Sequence, residues 1–240
     1  MGVLKRVGVL RVNHYAPLHY LPFIARSRAL LSKPSLAANK FGRTHLRSMS
    51  SKQDVERGFG RYSFLTLDRS PRILKAKLAA GFPHVAISAV VDDVERTKFS
   101  LCRFNVAMTR YLRRNGKPGS PELSTNGRYY DDHLIPIART DADKAALLGA
   151  HLNRTMIEVL IDGDLSLSDE TQIICYSTAD AEIARHVLRT LKCPWEIHTQ
   201  SPPGLYGRKP GYVKSISEFV DQALADPKWR GNGLEFDRLR

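Results

Sequence analysis

The fold is decided by residues 170–200, which read ETQIICYSTADAEIARHVLRTLKCPWEIHTQ. Residues 172–176 are short, apolar and rich in strand formers. The apolar residues that follow recur at helical spacing, at Ile183, Ala184, Val187, Leu188 and Leu191. Ser177 or Thr178 is suited to cap this helix, and Pro194 marks its end. Residues 195–199 then predict a second strand, so the stretch indicates a strand–helix–strand unit of an α/β protein.

The formal charge of +13 is concentrated at the start of the chain. Residues 1–52 contain ten Lys or Arg and no Asp or Glu, so residues 53–240 carry 27 basic against 24 acidic side chains. A stretch that is Arg-rich, free of acids and interrupted by proline is typical of a mitochondrial transit peptide. We therefore expect a disordered presequence, cleaved near residues 47–50, and a protein of the mitochondrial matrix. The alternative is a disordered basic arm that binds nucleic acid or anionic lipid.

Residues 53–240 are predicted to form a single α/β domain with a mixed sheet and flanking helices. The strongest strand candidate is residues 85–91, which are β-branched and bounded by Pro83 and Asp92. Residues 98–104 are expected to return as the second strand of a hairpin, and residues 172–176 add a further strand. The helices expected to cover the sheet span residues 141–160, 179–191 and 217–225.

The three cysteines, Cys102, Cys175 and Cys193, are unclustered and odd in number. No pair has the Cys-x-x-Cys spacing of a zinc or redox site, so neither a zinc knuckle nor a disulfide framework is expected. Buried, inert thiols are the preferred interpretation. The chain also lacks the GxGxxG motif of dinucleotide-binding proteins and the GxSxG motif of a nucleophile elbow.

Basic and aromatic side chains are interleaved through residues 99–117, which contain no acidic residue. Cations neutralise phosphates and aromatic rings stack on bases, so this composition is typical of a nucleic-acid groove. The residues predicted to bind RNA or DNA are Arg103, Arg110, Tyr111, Arg113, Arg114 and Lys117. The alternative is a solvated strand face followed by a basic loop.

The order of the predicted elements resembles the ribonuclease H-like fold over about residues 85–224. Three details carry the resemblance: the carboxylate of Asp92 after the first strand, the pattern IICYST at 173–178, and the segment RKPGYVK at 208–214. In that family several carboxylates hold two Mg²⁺ ions that activate a water molecule. The resemblance therefore implies Asp92 and Asp180 as catalytic residues, with Asp180 or Glu158 as the substitute for acids that the family has at other positions. It implies Mg²⁺ as the cofactor if the site is active.

The resemblance also implies a degenerate site, because Ala146 and Thr178 stand where that family has further acids. We therefore expect a non-catalytic, nucleic-acid-associated mitochondrial protein. One alternative is a small-molecule enzyme of the mitochondrial matrix that uses the crevice at the carboxyl ends of the strands, near Asp92, Tyr176 and Thr178. The other is a structural or assembly subunit of a mitochondrial complex.

The basic stretch leads to a salt-dependence prediction. Replacement of Arg110, Arg113 and Arg114 by Ala is expected to lower the magnitude of the log–log salt slope of duplex binding by about 2–3, since each neutralised phosphate contributes about 0.9. Fluorescence anisotropy across a salt series measures the slope, with replacement of Arg43, Arg47 and Lys52 as the control for the charge of the tail. An unchanged slope in the first variant would contradict the assignment.

Overall fold

The computed structural model describes residues 2–38, 61–67, 72–79, 81, 83–102, 137–152, 157–202 and 210–226. The strands in this part of the chain are β1 (Arg11–Pro17), β2 (Ala29–Leu30), β3 (Tyr62–Thr66), β4 (His84–Val90), β5 (Phe99–Cys102), β6 (Ile137–Ala138), β7 (Glu158–Asp162), β8 (Leu165–Ser166), β9 (Gln172–Cys175) and β10 (Glu196–Thr199). The α-helices are α1 (Val3–Arg6), α2 (Leu21–Ser27), α3 (Lys33–Ala38), α4 (Arg72–Ala79), α5 (Val91–Glu95), α6 (Asp141–His151), α7 (Thr178–Thr190) and α8 (Pro210–Ala225). A 3₁₀ turn spans Leu18–Tyr20, and β2 pairs only with β8.

The larger sheet has the strand order β10-β9-β4-β1-β3-β7-β5-β6. Among the pairs of neighbouring strands in this sheet, only β9 and β10 are parallel, so the sheet is mixed. β1 pairs with β4 along its whole length, from Arg11 opposite Val90 to Pro17 opposite His84. On its other side β1 meets β3 at one registered pair, Asn13 opposite Thr66. The sheet therefore consists of two four-strand blocks, and we call the boundary between β1 and β3 the seam.

The two faces of the sheet differ in chemistry, because side chains alternate along each strand. The face that we call the core face carries Val12, Ile87, Val159 and Ile173, all of which are fully buried in the main hydrophobic cluster. Helix α7 adds Ala184 and Val187 to the same cluster. The opposite face, which we call the polar face, carries Asn13, Thr66 and Glu158. The polar face therefore carries the candidate functional residues.

The strand–helix–strand unit predicted from residues 170–200 is confirmed. β9 and β10 are parallel neighbours, and α7 connects them. The Ser177 hydroxyl caps α7 by accepting a hydrogen bond from the backbone N–H of Asp180 at 3.1 Å. Ile173 is fully buried on β9, as a central strand requires. The local sequence pattern alone was sufficient to identify this unit.

The expected ribonuclease H-like order is wrong. β4 and β5 do not form a hairpin, because β1, β3 and β7 lie between them in the sheet. The helix predicted over residues 141–160 ends at His151, and Glu158–Asp162 is strand β7 instead. β7 lies between β3 and β5, where it joins the two strands that flank it. The α/β class with a mixed sheet and flanking helices is confirmed.

The expected disorder at the start of the chain is also wrong. Residues 11–17 form the central strand of the sheet, and Leu4 and Leu21 are fully buried. The basic residues of this segment meet acids that lie far away in the sequence: Lys5 pairs with Asp92, and Arg28 pairs with Asp169 at 2.7 Å. The segment itself contains no acid, but its basic side chains therefore find acidic partners elsewhere in the fold. Cleavage near residues 47–50 would remove β1, and the mitochondrial location stays a prediction.

The expectation of buried, inert thiols is borne out by the described residues. The three cysteines are free and buried. Burial raises the pKa of Cys175 to about 12, and it also raises the pKa of Cys193, which keeps both thiols protonated and unreactive at neutral pH. Among the helices in the described part of the chain, none is long and apolar enough to cross a membrane.

The position of β1 gives a matched pair of stability predictions. Val12→Asp is expected to destabilise the protein by at least about 3 kcal/mol, because it places an unpaired charge in the core. Leu10→Asp changes a side chain that is 76% exposed, and it is expected to alter stability by about 0.5 kcal/mol or less. Denaturant unfolding measures both. If residues 1–52 were a disordered leader, the two variants would unfold alike.

Candidate active site on the polar face of the sheet

A row of directly paired residues crosses the polar face from β9 to β5. We call it the polar row, and its members in spatial order are Gln172, Ser88, Asn13, Thr66, Glu158 and Cys102. It lies at one end of the sheet, where β3 and β5 end and where β7 and β9 begin. Neighbouring strands are about 4.8 Å apart, so adjacent members of the row are within reach of a common ligand.

Glu158 is the acidic member of the polar row. In the part of the chain that the structure describes, three acidic side chains are buried: Asp93, Glu158 and Asp180. Asp93 accepts hydrogen bonds from the backbone and the hydroxyl of Ser168, at 3.0 and 2.8 Å, which explains its burial. Asp180 lies in the first turn of α7, where the helix dipole favours a carboxylate. Among these three acids, Glu158 is the one on the polar face, and its side chain is only 6% exposed.

The start of β7 holds Glu158 in place. The carbonyl oxygen of Ile157 accepts two hydrogen bonds, one from the hydroxyl of Thr66 at the end of β3 at 3.1 Å and one from the backbone N–H of the next residue, Leu67, at 3.0 Å. These bonds fix the peptide immediately before Glu158. The pairing of Glu158 with Thr66 on one side and with Cys102 on the other then directs its side chain to the polar face. The carboxylate is therefore held by regular strand structure on both sides.

His14 ties the two blocks together at the seam. Its side chain lies on the core face, and its Nδ1 donates a hydrogen bond to the carbonyl oxygen of Phe64 in β3 at 2.7 Å. Burial lowers the pKa of His14 below the usual 6.5, although the bond to Phe64 opposes this shift. The imidazole is therefore neutral at pH 7, with its proton on Nδ1. A side-chain bond thus joins β1 to β3 next to the one registered backbone pair.

Apolar and aromatic side chains lie behind the polar row, two residues further along the same strands. On one block Tyr15 and Ile174 pack against Leu74 and Leu78 of α4. Tyr176 joins this cluster, where burial raises its pKa to about 12 and where it forms a hydrogen bond with Tyr15. On the other block a second cluster contains Phe64 and Leu160. The polar row therefore has an apolar wall along one side, as ligand sites usually do.

The two acids predicted to be catalytic are not brought together. Asp92 lies in α5, just after the end of β4, and pairs with Lys5. Asp180 follows the end of β9. Because β4 and β9 are antiparallel, their carboxyl ends lie at opposite ends of the sheet. This pair therefore does not form the two-metal arrangement that was expected, and the described residues contain no group of three metal-ligating side chains.

The predicted small-molecule crevice near Asp92, Tyr176 and Thr178 is not a single site, for the same reason. Tyr176 and Thr178 follow β9, whereas Asp92 follows β4 at the other end of the sheet. The six predicted nucleic-acid contacts, Arg103, Arg110, Tyr111, Arg113, Arg114 and Lys117, lie outside the described residues. Their role stays a prediction. Arg103 directly follows Cys102 of the polar row in the sequence.

Sequence reasoning missed Asn13 and Ser88 as site residues, and it considered Glu158 only as a stand-in acid of a ribonuclease H-like site. Glu158 was assigned to the end of a long helix, and Asn13 was assigned to a disordered tail. A signal for β7 was present in residues 157–161, which read IEVLI and stop at Asp162 and Gly163. Such a β-branched run bounded by Asp-Gly is typical of a strand. No local signal indicated that Asn13 and Glu158 share one row.

The chain matches no protein-family model and no curated protein sequence. Among solved structures, it is similar to Thermus sp. 2.9 DarT in complex with ADP-ribosylated ssDNA, with 13% sequence identity and a TM-score of 0.51 over 80% of this chain and 94% of that chain. It is likewise similar to Thermus sp. 2.9 DarT in complex with NAD⁺, with 13% identity and a TM-score of 0.50 over 80% and 95%. The chain shares the fold of DarT. This likeness replaces the ribonuclease H-like resemblance.

The seam predicts a pH-dependent stability that depends on His14. The unfolded chain binds a proton at His14 more readily than the folded chain does, because the folded pKa is lowered. The free energy of unfolding is therefore expected to fall as the pH falls below about 6.5, with a slope of up to about 1.4 kcal/mol per pH unit. His14→Asn keeps a donor for Phe64 but does not titrate, so it should remove this part of the slope.

Denaturant unfolding between pH 5 and pH 8 tests that expectation. His198→Asn is the matched control, since His198 is exposed and lies on the edge strand β10. An equal loss of slope in both variants would show that His14 is not the group responsible.

Proposed function

We propose that this protein is an ADP-ribosyltransferase that binds NAD⁺ and transfers ADP-ribose to DNA. The fold shared with DarT supports the proposal, because DarT forms complexes with NAD⁺ and with ADP-ribosylated single-stranded DNA. The observation that carries it is the buried Glu158 carboxylate at the start of β7, in a row of polar side chains across the seam. The expectation of a non-catalytic ribonuclease H-like protein is wrong, and so is the expectation of Mg²⁺ as the cofactor if such a site were active.

The chemistry of the transfer requires a carboxylate near the reacting ribose. The bond between the ribose and nicotinamide breaks, and nicotinamide leaves with the bonding electron pair. A new bond forms between the same ribose carbon and a nucleophilic atom of the DNA, which loses a proton. Positive charge develops on the ribose as nicotinamide leaves, so a preorganised carboxylate stabilises the transition state. In this chain Glu158 supplies that carboxylate and is also placed to accept the proton.

The residues of the polar row fit a dinucleotide. Hydroxyl and amide side chains from Ser88, Asn13 and Thr66 offer donors and acceptors to ribose hydroxyls and bases. The apolar wall behind them, with Tyr15 and Phe64, suits the flat face of a base. The distance from Ser88 to Glu158 is three strand spacings, or about 14 Å, which is long enough to accommodate two nucleosides side by side.

DNA is the proposed acceptor. The basic and aromatic residues predicted to contact nucleic acid begin at Arg103, immediately after Cys102 of the polar row. A DNA strand bound by residues of this stretch is the proposed source of the acceptor atom. Phosphate contacts of this kind position a strand, and the polar row provides the chemistry. The mitochondrial matrix remains the proposed location.

Replacement of Glu158 by Gln is the direct test. We expect Glu158→Gln to lower both NAD⁺ hydrolysis and ADP-ribosyl transfer to a single-stranded oligonucleotide by at least about 100-fold, since loss of one preorganised charge-stabilising group typically costs that much. Nicotinamide release measures hydrolysis, and the mass of the oligonucleotide measures transfer.

The control is Glu170→Gln, an exposed carboxylate that lies outside the polar row. It should leave both rates unchanged. Thermal unfolding should show that Glu158→Gln is folded. Full activity in Glu158→Gln would remove Glu158 from the mechanism, and a wild-type protein that neither binds NAD⁺ nor releases nicotinamide would contradict the proposed function itself.

A further inference from the structure

β10 is the outermost strand at one end of the larger sheet, and among the described strands only β9 pairs with it. Glu196 and His198 lie on the polar face, with 71% and 45% of their side chains exposed. Ile197 lies on the core face, opposite Ile173 of β9, and packs against the main hydrophobic cluster. The open edge of such a strand offers backbone groups to a strand from another molecule.

The backbone groups of Ile197 and Thr199 point to this open edge. The backbone N–H of Gln200 donates a hydrogen bond to the carbonyl oxygen of Cys175 at 2.9 Å, which continues the parallel ladder between β9 and β10. Along a strand, the residues that bond to one neighbour alternate with those whose backbone groups face the other side. Glu196 and His198 are in step with Gln200 and bond to β9, so Ile197 and Thr199 face outwards.

The side chains of Glu196 and His198 carry complementary chemistry. They are two residues apart on the same face, and His198 Nε2 lies 3.3 Å from a carboxylate oxygen of Glu196. An imidazole donates an N–H to a carboxylate, and it also carries positive charge when protonated. A second copy of β10 that runs antiparallel presents the same two groups in reverse order. The edge can therefore be complementary to itself.

The side chains select one of the three antiparallel registers that are centred on these residues. With Glu196 at the centre, the two Glu196 carboxylates face each other, which is destabilising. With His198 at the centre, two imidazoles face each other. With Ile197 at the centre, Glu196 of each copy faces His198 of the other, so both cross-strand pairs are attractive.

The backbone geometry suits the register centred on Ile197. The outward N–H and carbonyl groups of the two Ile197 residues exchange two hydrogen bonds, as in a hydrogen-bonded antiparallel pair. The pairs of Glu196 with His198 then fall at non-hydrogen-bonded positions, where Cα atoms are about 4.5 Å apart and side chains are closer. The two Ile197 side chains meet on the core face and extend its apolar surface.

We propose that β10 pairs antiparallel with β10 of a second copy of this chain, in the register centred on Ile197. The two sheets then form one continuous sheet about a two-fold axis, with both polar faces on the same side. β10 has four residues, so the interface is small and the dimer is weak, with a dissociation constant in the micromolar range. The inference does not depend on the proposed transfer reaction.

Sedimentation equilibrium of the full chain across the micromolar range measures the association. His198→Glu places two carboxylates opposite each other at both cross-strand positions, so we expect the dissociation constant of the dimer to rise at least about fivefold. Adding Glu196→Lys to His198→Glu restores an opposite-charge pair at both positions. The double variant should therefore associate as tightly as the wild type or more tightly.

Ala145→Glu is the control for net charge. It adds one negative charge at an exposed position of α6, which packs against β5 and β6 at the other end of the sheet. It should not weaken the dimer, because a negative charge reduces the repulsion between two chains of formal charge +13. Thermal unfolding should show that all these variants are folded.

Cysteine cross-linking tests the register. The native cysteines are buried, so new thiols at exposed positions are the reactive ones. A mixture of Glu196→Cys and His198→Cys chains places two thiols opposite each other, with Cα atoms about 4.5 Å apart, which a disulfide can span. Two copies of one variant place their thiols two residues out of step, about 8 Å apart at Cα, which is too far. Mild oxidation should therefore link the mixture and neither variant alone.

A wild-type protein that stays monomeric throughout the concentration range would overturn the proposal, as would equal association of the wild type and His198→Glu. A disulfide-linked dimer in Glu196→Cys or His198→Cys alone would refute the register. These measurements involve neither NAD⁺ nor DNA. A chain that dimerises through β10 but releases no nicotinamide would therefore refute the proposed function and leave the interface standing.

Discussion

The structure depends on the pairing of β1 at the centre of the sheet. β1 is hydrogen-bonded to β4 over its full length and to β3 at Asn13, so it joins strands that come from distant parts of the chain. Its basic residue Arg11 is satisfied by two backbone carbonyls, those of Ser88 and Glu170, at 2.9 and 3.0 Å. The central strand thus comes from the most basic part of the chain, and the acids and carbonyls that compensate its charge come from later segments.

The seam lies at the centre of the proposed active site. β1 and β3 share one registered backbone pair and the bond from His14 to Phe64, so the two blocks are joined by a shorter ladder than the other neighbouring central strands are. Polar side chains at such a boundary can be presented to a ligand. The remainder of each block is regular and well packed, so it holds those side chains in fixed positions.

The polar row also illustrates a conflict between stability and function. On the core face the corresponding residues are Val12, Ile87 and Val159, which bury apolar surface and stabilise the sheet. On the polar face the same strands present Asn13, Ser88 and Glu158, which gain less from burial. The apolar clusters around Tyr15 and Leu160 lie directly behind these residues and restore packing to that face. The proposed ligand site thus lies on an otherwise ordinary sheet.

The sequence by itself determined the local elements. The unit of β9, α7 and β10, the strand β4 and the burial of the cysteines followed from short-range periodicity and end signals. The order of the strands followed only from the tertiary structure. The apolar pattern of β4 and β5 fits two arrangements equally well, a hairpin of the two strands and the observed sheet, in which three strands lie between them. β1 could not be predicted from the local sequence, because the partners of Lys5 and Arg11 lie some 77 to 159 residues away in the sequence. The candidate site could not be predicted for the same reason. Asn13, Ser88 and Glu158 become neighbours only through pairing between strands from distant segments.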